Sequence, residues 1–353
     1  MDQLKVAGCL AWMCCLIAAS AQADDSGEVR AKSAALAILG AAAPRTTLKT
    51  IDGESIDLGS LYGKKAVYLK FWATWCVPCR QQMPHFEHAY ETAGPDLAVI
   101  AIDVGFNESL EAIQDYRKKL GIKMPIVMDD GHLGTALHVR VTPTHIVIGR
   151  DGRILYVGHL ADEHLDAALQ EARGLTVKSA RAAAPAAQLA IRDSPAVEIG
   201  AQLPAQSLRT IDGRHFLLRG TGSARPITAL VFLSPWCESY LATSRPSVAE
   251  NCRNMRSQVS ELAADPRVRW LGVASGLWAD TNDLRKYRQQ YNLTIPLTLD
   301  ASGAVFREFR VNDVPTVLVA DDHGKLLQRI EADAAANPKA LRDALGVLQH
   351  QSR

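Results

Sequence analysis

Cys76 and Cys79 are separated by two residues and carry the clearest chemical signal in the sequence. In a helix, this spacing places both side chains on one face with about 5 to 6 Å between their Cβ atoms, so a disulfide forms with little movement. An apolar run at 66–72 precedes them, so Cys76 is expected to open a helix whose dipole and free N–H groups stabilise a thiolate. We therefore predict that Cys76 is the nucleophile and that Cys79, one turn further, is the resolving thiol.

Two other interpretations of these cysteines are less favoured. Cys76, Cys79, His85 and His88 have a spacing that could ligate zinc, but Pro84 in the helical pattern would splay the histidines away. A purely structural disulfide that closes so short a loop would stabilise the fold little. We expect reversible redox chemistry, with no metal and no cofactor beyond the Cys76–Cys79 pair.

The segments around the cysteines predict a sheet flanked by helices. Apolar runs rich in β-branched residues at 66–72, 97–104 and 144–148 alternate with helical patterns at 77–92 and 109–120. This order indicates βαβ units with a largely parallel sheet, closed by a hairpin whose second strand covers 154–157. The predicted fold class is α/β.

An internal repeat divides the chain into two copies of one domain. The hexapeptide at 48–53 recurs nearly unchanged at 208–213, and the segment ending at Cys76 aligns with the one ending at Cys237. We predict domains at 45–175 and 197–353, joined by an Ala- and Pro-rich linker at 176–196. Residues 24–44 form an Ala-rich segment with a short helix predicted over 29–39.

The cysteine motif and a later proline together resemble one protein family. Phe-Trp-Ala-Thr-Trp-Cys-Val-Pro-Cys-Arg at 71–80, Met83-Pro84 and Val-Thr-Pro-Thr at 141–144 are similar to the TlpA/ResA-like branch of the thioredoxin superfamily. With the repeat, this resemblance implies two tandem thioredoxin-like domains, each a central mixed sheet flanked by helices. It also implies a protein-disulfide reductase that a membrane thiol donor keeps reduced, and a cis bond before Pro143. We expect Trp75, Thr142 and Pro143 to line the partner groove, although Trp75 and Thr142 could instead only pack in the core.

Two positions depart from that family. Gln82 stands where the family often has Glu, and Lys70 stands where thioredoxins have a buried Asp. These departures predict that the usual proton acceptor for Cys79 is missing. A lysine beside the cysteines would favour a thiolate, so Lys70 is a candidate modulator of the thiol pKa, although it could also extend out along the strand without any role.

The second copy retains Cys237 but has Tyr240 at the resolving position. Cys252 lies 15 positions after Cys237, which places the two residues about 22 Å apart if the helix is continuous. A loop at 243–246 and a capping-box pattern at 247–250 predict a fresh helix from Val248, which could return Cys252 to Cys237. Three possibilities stay open. Cys237 and Cys252 could form a disulfide, and hence a second redox pair, Cys237 could be a lone reactive thiol, or both could be inert thiols.

Two further functions stay open for the second copy. It could be the peroxidatic unit of a thiol peroxidase, since Ser234 precedes Cys237 by three residues, although Leu230 stands where such enzymes have proline. It could instead dock a partner in metal-site or cytochrome maturation, although the mature chain has no Met-rich run suited to Cu(I).

The first 23 residues have the pattern of an export signal. Lys5 precedes an apolar stretch at 6–19 and the small-residue site Ala21-Gln22-Ala23, which predicts cleavage before Asp24 and a periplasmic location. Lysine and arginine total 39 against 38 acidic residues, so no broad basic field attracts nucleic acid. The expected partners are the thiols and disulfides of exported proteins.

Overall fold

The computed structural model describes residues 26–174, 189, 191, 196–220, 227–337 and 339–351. These residues form two compact units, divided near residue 191, except that 105–109 and 130–135 belong to the second unit. The predicted signal peptide at 1–23 lies outside the described residues, as does most of the predicted linker at 176–196. Both stay predictions.

The first unit is built on a five-stranded sheet, in the order β5 (Ile126–Met128), β4 (Leu97–Asp103), β3 (Ala66–Trp72), β6 (Thr144–Ile148) and β7 (Ile154–Gly158). Strands β3, β4 and β5 are parallel, while β6 and β7 are antiparallel to their neighbours. In chain order the elements are α1 (residues 26–35), β1 (Thr47–Lys49), β2 (Ser55–Asp57), α2 (Leu58–Leu61), β3 (Ala66–Trp72), α3 (Val77–Gln81), α4 (Met83–Glu91), β4 (Leu97–Asp103), α5 (Leu110–Leu120), β5 (Ile126–Met128), α6 (His132–Ala136), β6 (Thr144–Ile148), β7 (Ile154–Gly158) and α7 (Glu163–Gly174).

Strand β3 is the centre of this sheet and is buried along its whole length. It pairs with β4 on one side and β6 on the other, so its side chains face packed layers on both faces. That environment explains the nearly continuous apolar run from which it was predicted. Lys70 is the exception within the run, and it lies opposite His145 of β6.

The helical pattern at 77–92 forms two helices. Helix α3 ends at Gln81 and α4 begins at Met83, with Gln82 between them at φ −91° and ψ 1°. Pro84 explains the break, because it has no N–H to donate and its ring collides with the carbonyl four residues earlier. The N-terminal helix was also misplaced, since it covers 26–35 rather than 29–39.

The repeated hexapeptide forms the same hairpin turn in both units. Gly53 and Gly213 have φ values of +85° and +80°, a region that favours glycine. Each glycine donates its N–H to the carbonyl of the threonine three residues earlier, at 2.9 Å. The turns connect β1 to β2 in the first unit and the strands Ser207–Arg209 and His215–Leu217 in the second, which accounts for the close sequence match at these positions.

The second unit has a five-stranded sheet whose strands follow the same order and the same directions as those of the first unit. Both units therefore share one topology. None of the described helices is both long and apolar enough to cross a membrane. The elements are β8 (Ser207–Arg209), β9 (His215–Leu217), β10 (Ile227–Leu233), α8 (Cys237–Ser244), α9 (Pro246–Leu262), β11 (Val268–Ser275), α10 (Thr281–Gln290), β12 (Leu297–Asp300), α11 (Ala304–Glu308), β13 (Thr316–Ala320), β14 (Leu326–Ile330) and α12 (Ala340–Gln351).

Helix α9 begins earlier than the sequence pattern predicted. Its first residue is Pro246 rather than Val248, and its N-cap Arg245 makes no side-chain capping bond, so the predicted capping box is wrong. Proline suits the first helical position, because its φ is preset and its missing N–H has no partner there in any case. It also disfavours helical geometry at Arg245, which turns the chain between α8 and α9.

Candidate active site

The turn between β3 and α3 places Cys76 at the N-cap of the helix. Its sulfur accepts the backbone N–H of Cys79 at 3.2 Å, and Pro78 occupies the first turn. A sulfur in this position meets the free N–H groups and the positive end of the helix dipole, both of which stabilise a thiolate. Once the disulfide is reduced, these groups would favour the thiolate form of Cys76.

Cys76 and Cys79 are joined by a disulfide with a Cα–Cα distance of 5.2 Å. The Thr142–Pro143 peptide bond is cis, as the family resemblance implied, and the Thr142 carbonyl oxygen lies 3.3 Å from the Cys76 sulfur. The loop before β6 thus presents its backbone directly to the predicted nucleophile. The fold thus brings the Thr142–Pro143 loop to the Cys76–Cys79 pair.

The surface around the disulfide comes from fewer side chains than the sequence suggested. Trp75 is 2% exposed and the Thr142 side chain is fully buried, whereas Val77, between the two cysteines, is 45% exposed. A partner that reached this site would meet the side chain of Val77. The groove-lining roles of Trp75, Thr142 and Pro143 stay predictions.

Lys70 is fully buried behind the disulfide and does not extend out along the strand. Its Nζ donates to the Cys79 carbonyl oxygen at 3.5 Å and lies 5.2 Å from the centre of the Phe86 ring. Burial lowers the pKa of Lys70 to about 7, because removal from water disfavours the charged ammonium. Lys70 can therefore exchange a proton near neutral pH.

His145 joins Lys70 in this buried polar cluster. Its Nε2 lies 2.7 Å from Gln82 Oε1, and its Nδ1 lies 2.8 Å from the Tyr68 hydroxyl. The amide oxygen can only accept, so Nε2 carries the proton and Nδ1 accepts from Tyr68. Burial and the charge of Lys70 hold the pKa of His145 well below its usual value, which keeps the ring neutral.

His159 links the cis-proline loop to the N-terminal helix. Its Nδ1 donates to the Pro143 carbonyl oxygen at 2.7 Å, and its backbone N–H donates to the Glu28 carboxylate at 2.8 Å. Gln82 Nε2 donates to the His159 carbonyl oxygen at 3.2 Å. Gln82 therefore bridges the two histidines, and α1 contributes to the support of the active-site loop.

His145 and His159, to which no sequence pattern assigned a role, both lie at the site. One signal could have found His145: it and Lys70 are the strongly polar members of otherwise apolar, buried strands. A polar group at such a position needs a buried partner. His159 follows β7 and had no comparable signal.

The zinc arrangement considered for the first unit is not formed. The two cysteines bond to each other, and His85 Nε2 instead lies 3.0 Å from Asp166 Oδ1. In the described parts of the chain, no three His, Cys, Asp or Glu side chains group as metal ligands.

The cysteines of the second unit are also joined. Cys237 is the first residue of α8, and a disulfide links it to Cys252 of α9 with a Cα–Cα distance of 6.4 Å. Tyr240, at the position equivalent to Cys79, is 40% exposed. A peroxidatic Cys237 would first have to be released from this disulfide.

Comparison with known proteins places the chain among thiol-disulfide oxidoreductases. Residues 39–157 match the AhpC/TSA family. The thiol-disulfide oxidoreductase ResA of Halalkalibacterium halodurans is 38% identical over 124 residues, which is 35% of this chain and 69% of that protein. The chain belongs to this ResA-like family. ResA of Bacillus cereus is 32% identical, over 38% of this chain and 78% of its own length, and the thioredoxin-like protein YneN of Bacillus subtilis is 33% identical, over 36% and 76%.

The free energy of unfolding of this ResA-like chain should depend on pH through the buried Lys70. The unfolded chain keeps Lys70 protonated up to about pH 10.5, whereas the folded chain releases that proton from about pH 7. The unfolded state thus binds more protons between these values, and the Lys70 contribution to the free energy of unfolding rises with pH by about 1.4 kcal/mol per unit.

Lys70→Met removes this term while keeping an unbranched side chain against Phe86. We expect the variant to be more stable than the wild type at pH 6, with the advantage shrinking steadily from pH 7 to pH 9.5. Urea denaturation of both proteins across this range measures the difference. A difference that does not vary with pH would contradict the assignment of the titrating group to Lys70.

Proposed function

We propose that the protein reduces disulfide bonds in exported proteins, with Cys76 as the attacking thiolate. The observation that carries this proposal is the position of Cys76. Its sulfur accepts a hydrogen bond from the Cys79 amide at a helix N-terminus and faces the loop at Pro143. The sequence pattern of an export signal at 1–23 supports a periplasmic location. The named activity of the ResA relatives supports the reaction class.

The reaction needs the two cysteines alone. The Cys76 thiolate attacks one sulfur of the substrate disulfide, forms a mixed disulfide and displaces the other substrate sulfur as a thiolate. Cys79 then loses its proton and attacks the Cys76 sulfur, which releases the reduced substrate and forms the Cys76–Cys79 disulfide. The two electrons gained by the substrate come from the dithiol, and a thiol donor at the membrane restores it.

Lys70 is the proton acceptor for Cys79 in this proposal. It replaces the acidic group found in related proteins, and its Nζ lies at the Cys79 backbone within a buried cluster. With a pKa lowered to about 7, a fraction of Lys70 is neutral and free to take a proton at neutral pH. The resulting ammonium stabilises the Cys79 thiolate while it attacks.

Val77 and the backbone at Thr142 form the partner contact in this proposal. The Val77 side chain is exposed beside the cysteines, and the Thr142 carbonyl faces Cys76. An extended substrate segment could lie along this loop and pair with its backbone. Recognition would then depend little on the sequence of the substrate.

The reduction potential of the Cys76–Cys79 pair tests the direction of electron flow. We expect a value near that of thioredoxin, about −270 mV, by equilibration with dithiothreitol. The Cys237→Ala, Cys252→Ala double variant serves as the control, because only the first pair remains to titrate among the described residues. A value near −120 mV would make the protein an oxidant and overturn the proposal.

A trapping experiment tests the order in which the cysteines act. Cys79→Ala should accumulate mixed disulfides between Cys76 and periplasmic proteins, because the resolving step is lost. Cys76→Ala should form few, since Cys79 lies inside α3, one turn beyond the N-cap where free N–H groups stabilise a thiolate. Non-reducing electrophoresis followed by mass spectrometry measures the adducts. Equal trapping by both variants would contradict the assignment of Cys76 as the nucleophile.

The role of Lys70 predicts a defect in resolution rather than in attack. Lys70→Met should slow release of the mixed disulfide about tenfold or more at pH 7, in the range expected for loss of a general base, and leave the first step nearly unchanged. Rapid-quench analysis with a fluorescent disulfide peptide separates the two steps. The defect should shrink as the pH approaches the thiol pKa, and a pH-independent defect would indicate a packing role instead.

A further inference from the structure

The carbonyl of Pro143 is held by the side chain of His159. Strand β7 ends at Gly158, which pairs with His145 of β6, so the regular pairing of these strands stops before the proline loop. His159 is the next residue after β7 and is fully buried. Since a carbonyl oxygen can only accept, the Nδ1 of His159 is the donor in the 2.7 Å bond to Pro143. This bond extends the support of the loop past the end of the strand.

The loop held in this way faces Cys76. Thr144 Oγ1 donates to the Val141 carbonyl oxygen at 2.7 Å, which closes the loop into one turn. The Thr142 carbonyl oxygen lies 3.3 Å from the Cys76 sulfur. Because the loop is short and closed, the bond from His159 also fixes the position of the Thr142 carbonyl.

Helix α1 packs against the imidazole ring of His159 through Gly27. A Cβ at position 27 would lie within 2.8 Å of three atoms of that ring, which is too close for a real side chain. Glycine is a poor helix former, so its place in the first turn of α1 is explained by this contact. The Glu28 carboxylate accepts the His159 backbone N–H at 2.8 Å, and Gln82 Nε2 donates to the His159 carbonyl oxygen at 3.2 Å. Both the ring and the backbone of His159 are therefore fixed.

The Thr142 carbonyl and the helix N-terminus have opposite effects on Cys76. When the disulfide is reduced, the Cys76 thiol can donate a hydrogen bond to the Thr142 oxygen, and a bond made by the neutral form disfavours ionisation. The N-terminus of α3 instead stabilises the thiolate. The distance from the Thr142 oxygen to the Cys76 sulfur therefore sets how far the helix can lower the pKa of this thiol.

We propose that His159 is a positioning residue for the thiol chemistry of Cys76. Its bond to Pro143 holds the Thr142 carbonyl against the sulfur, and α1 holds His159 in turn. The reduced protein thereby keeps Cys76 less ionised than the helix N-terminus alone would. Because stabilisation of the reduced form makes a dithiol a weaker reductant, this limit favours the reduction of partners. The inference rests on the proposed function only for the assignment of Cys76 as the attacking thiol.

The pH dependence of Cys76 alkylation tests this role. The reduced full chain is treated with iodoacetamide over a range of pH, and adducts on Cys76 are quantified by peptide mass spectrometry. Only the thiolate reacts, so the midpoint of the rate profile gives the pKa of Cys76, whereas accessibility of the sulfur only scales the rates.

Two substitutions separate the hydrogen bond of His159 from its packing. His159→Leu removes the donor, whereas His159→Asn keeps an N–H donor at the position of Nδ1. We expect His159→Leu to lower the midpoint by about one pH unit, which is a tenfold change in ionisation and the size expected for one hydrogen bond. His159→Asn should stay close to the wild type.

Gly27→Ala tests the contribution of α1 with His159 unchanged. The added methyl group displaces the His159 ring although alanine favours a helix, so we expect the midpoint to fall in this variant as well. Ser33→Ala changes an exposed position of the same helix and is the matched control, which should leave the midpoint unchanged.

An unchanged midpoint in His159→Leu would overturn the proposal. Equal shifts in His159→Leu and His159→Asn would also overturn it, because the effect would then come from ring packing. If His159→Leu fails to fold, Gly27→Ala decides, and a midpoint equal to that of Ser33→Ala would sink the idea. The profile is measured at Cys76 whichever way electrons flow, so a potential typical of an oxidant would overturn the reductase proposal and leave this inference intact.

Discussion

At the end of β3 the chain turns within four residues and enters a helix whose amide at Cys79 points at the sulfur of Cys76. This contact depends on both neighbouring elements. A strand buried on both faces fixes where the turn begins, and Pro78 in the first helical turn has no N–H that would compete for the sulfur. The same constraint positions Cys79 one turn further, within bonding distance. The thiol chemistry proposed here follows from that placement.

Behind the disulfide, the protein maintains a cluster of buried polar groups. A buried lysine costs stability, and the lowered pKa of Lys70 is the measure of that cost. Gln82, His145 and Tyr68 satisfy one another by hydrogen bonds, so the rest of the cluster adds little further penalty. The proposed proton transfer from Cys79 gives this lysine a role that folding alone does not supply.

The two units show how one topology can carry different cysteine arrangements. In the first, the resolving cysteine lies in the same helix as the nucleophile, whereas in the second the partner comes from the next helix. The break at Arg245 and Pro246 makes the second arrangement possible, because a continuous helix would separate Cys237 from Cys252 by about 22 Å.

The local features of this protein are determined by its sequence alone. The strand bounds 66–72 and 144–148, the Cys-x-x-Cys pair and the α/β class were all predicted, because alternating apolar runs and short motifs encode them within a few residues. The helix breaks at Gln82 and Pro246 were only partly predicted, since competing proline and capping signals overlap there.

Only the tertiary structure decided which distant side chains meet. Tyr68 and His145 are 77 residues apart and Gln82 and His145 are 63 apart, so their contacts depend on the register of β3 against β6. The same reason applies to His159 at the proline loop and to Cys252 at Cys237. Such pairs leave no periodic trace in the sequence, because their geometry exists only after the sheet and helices have packed.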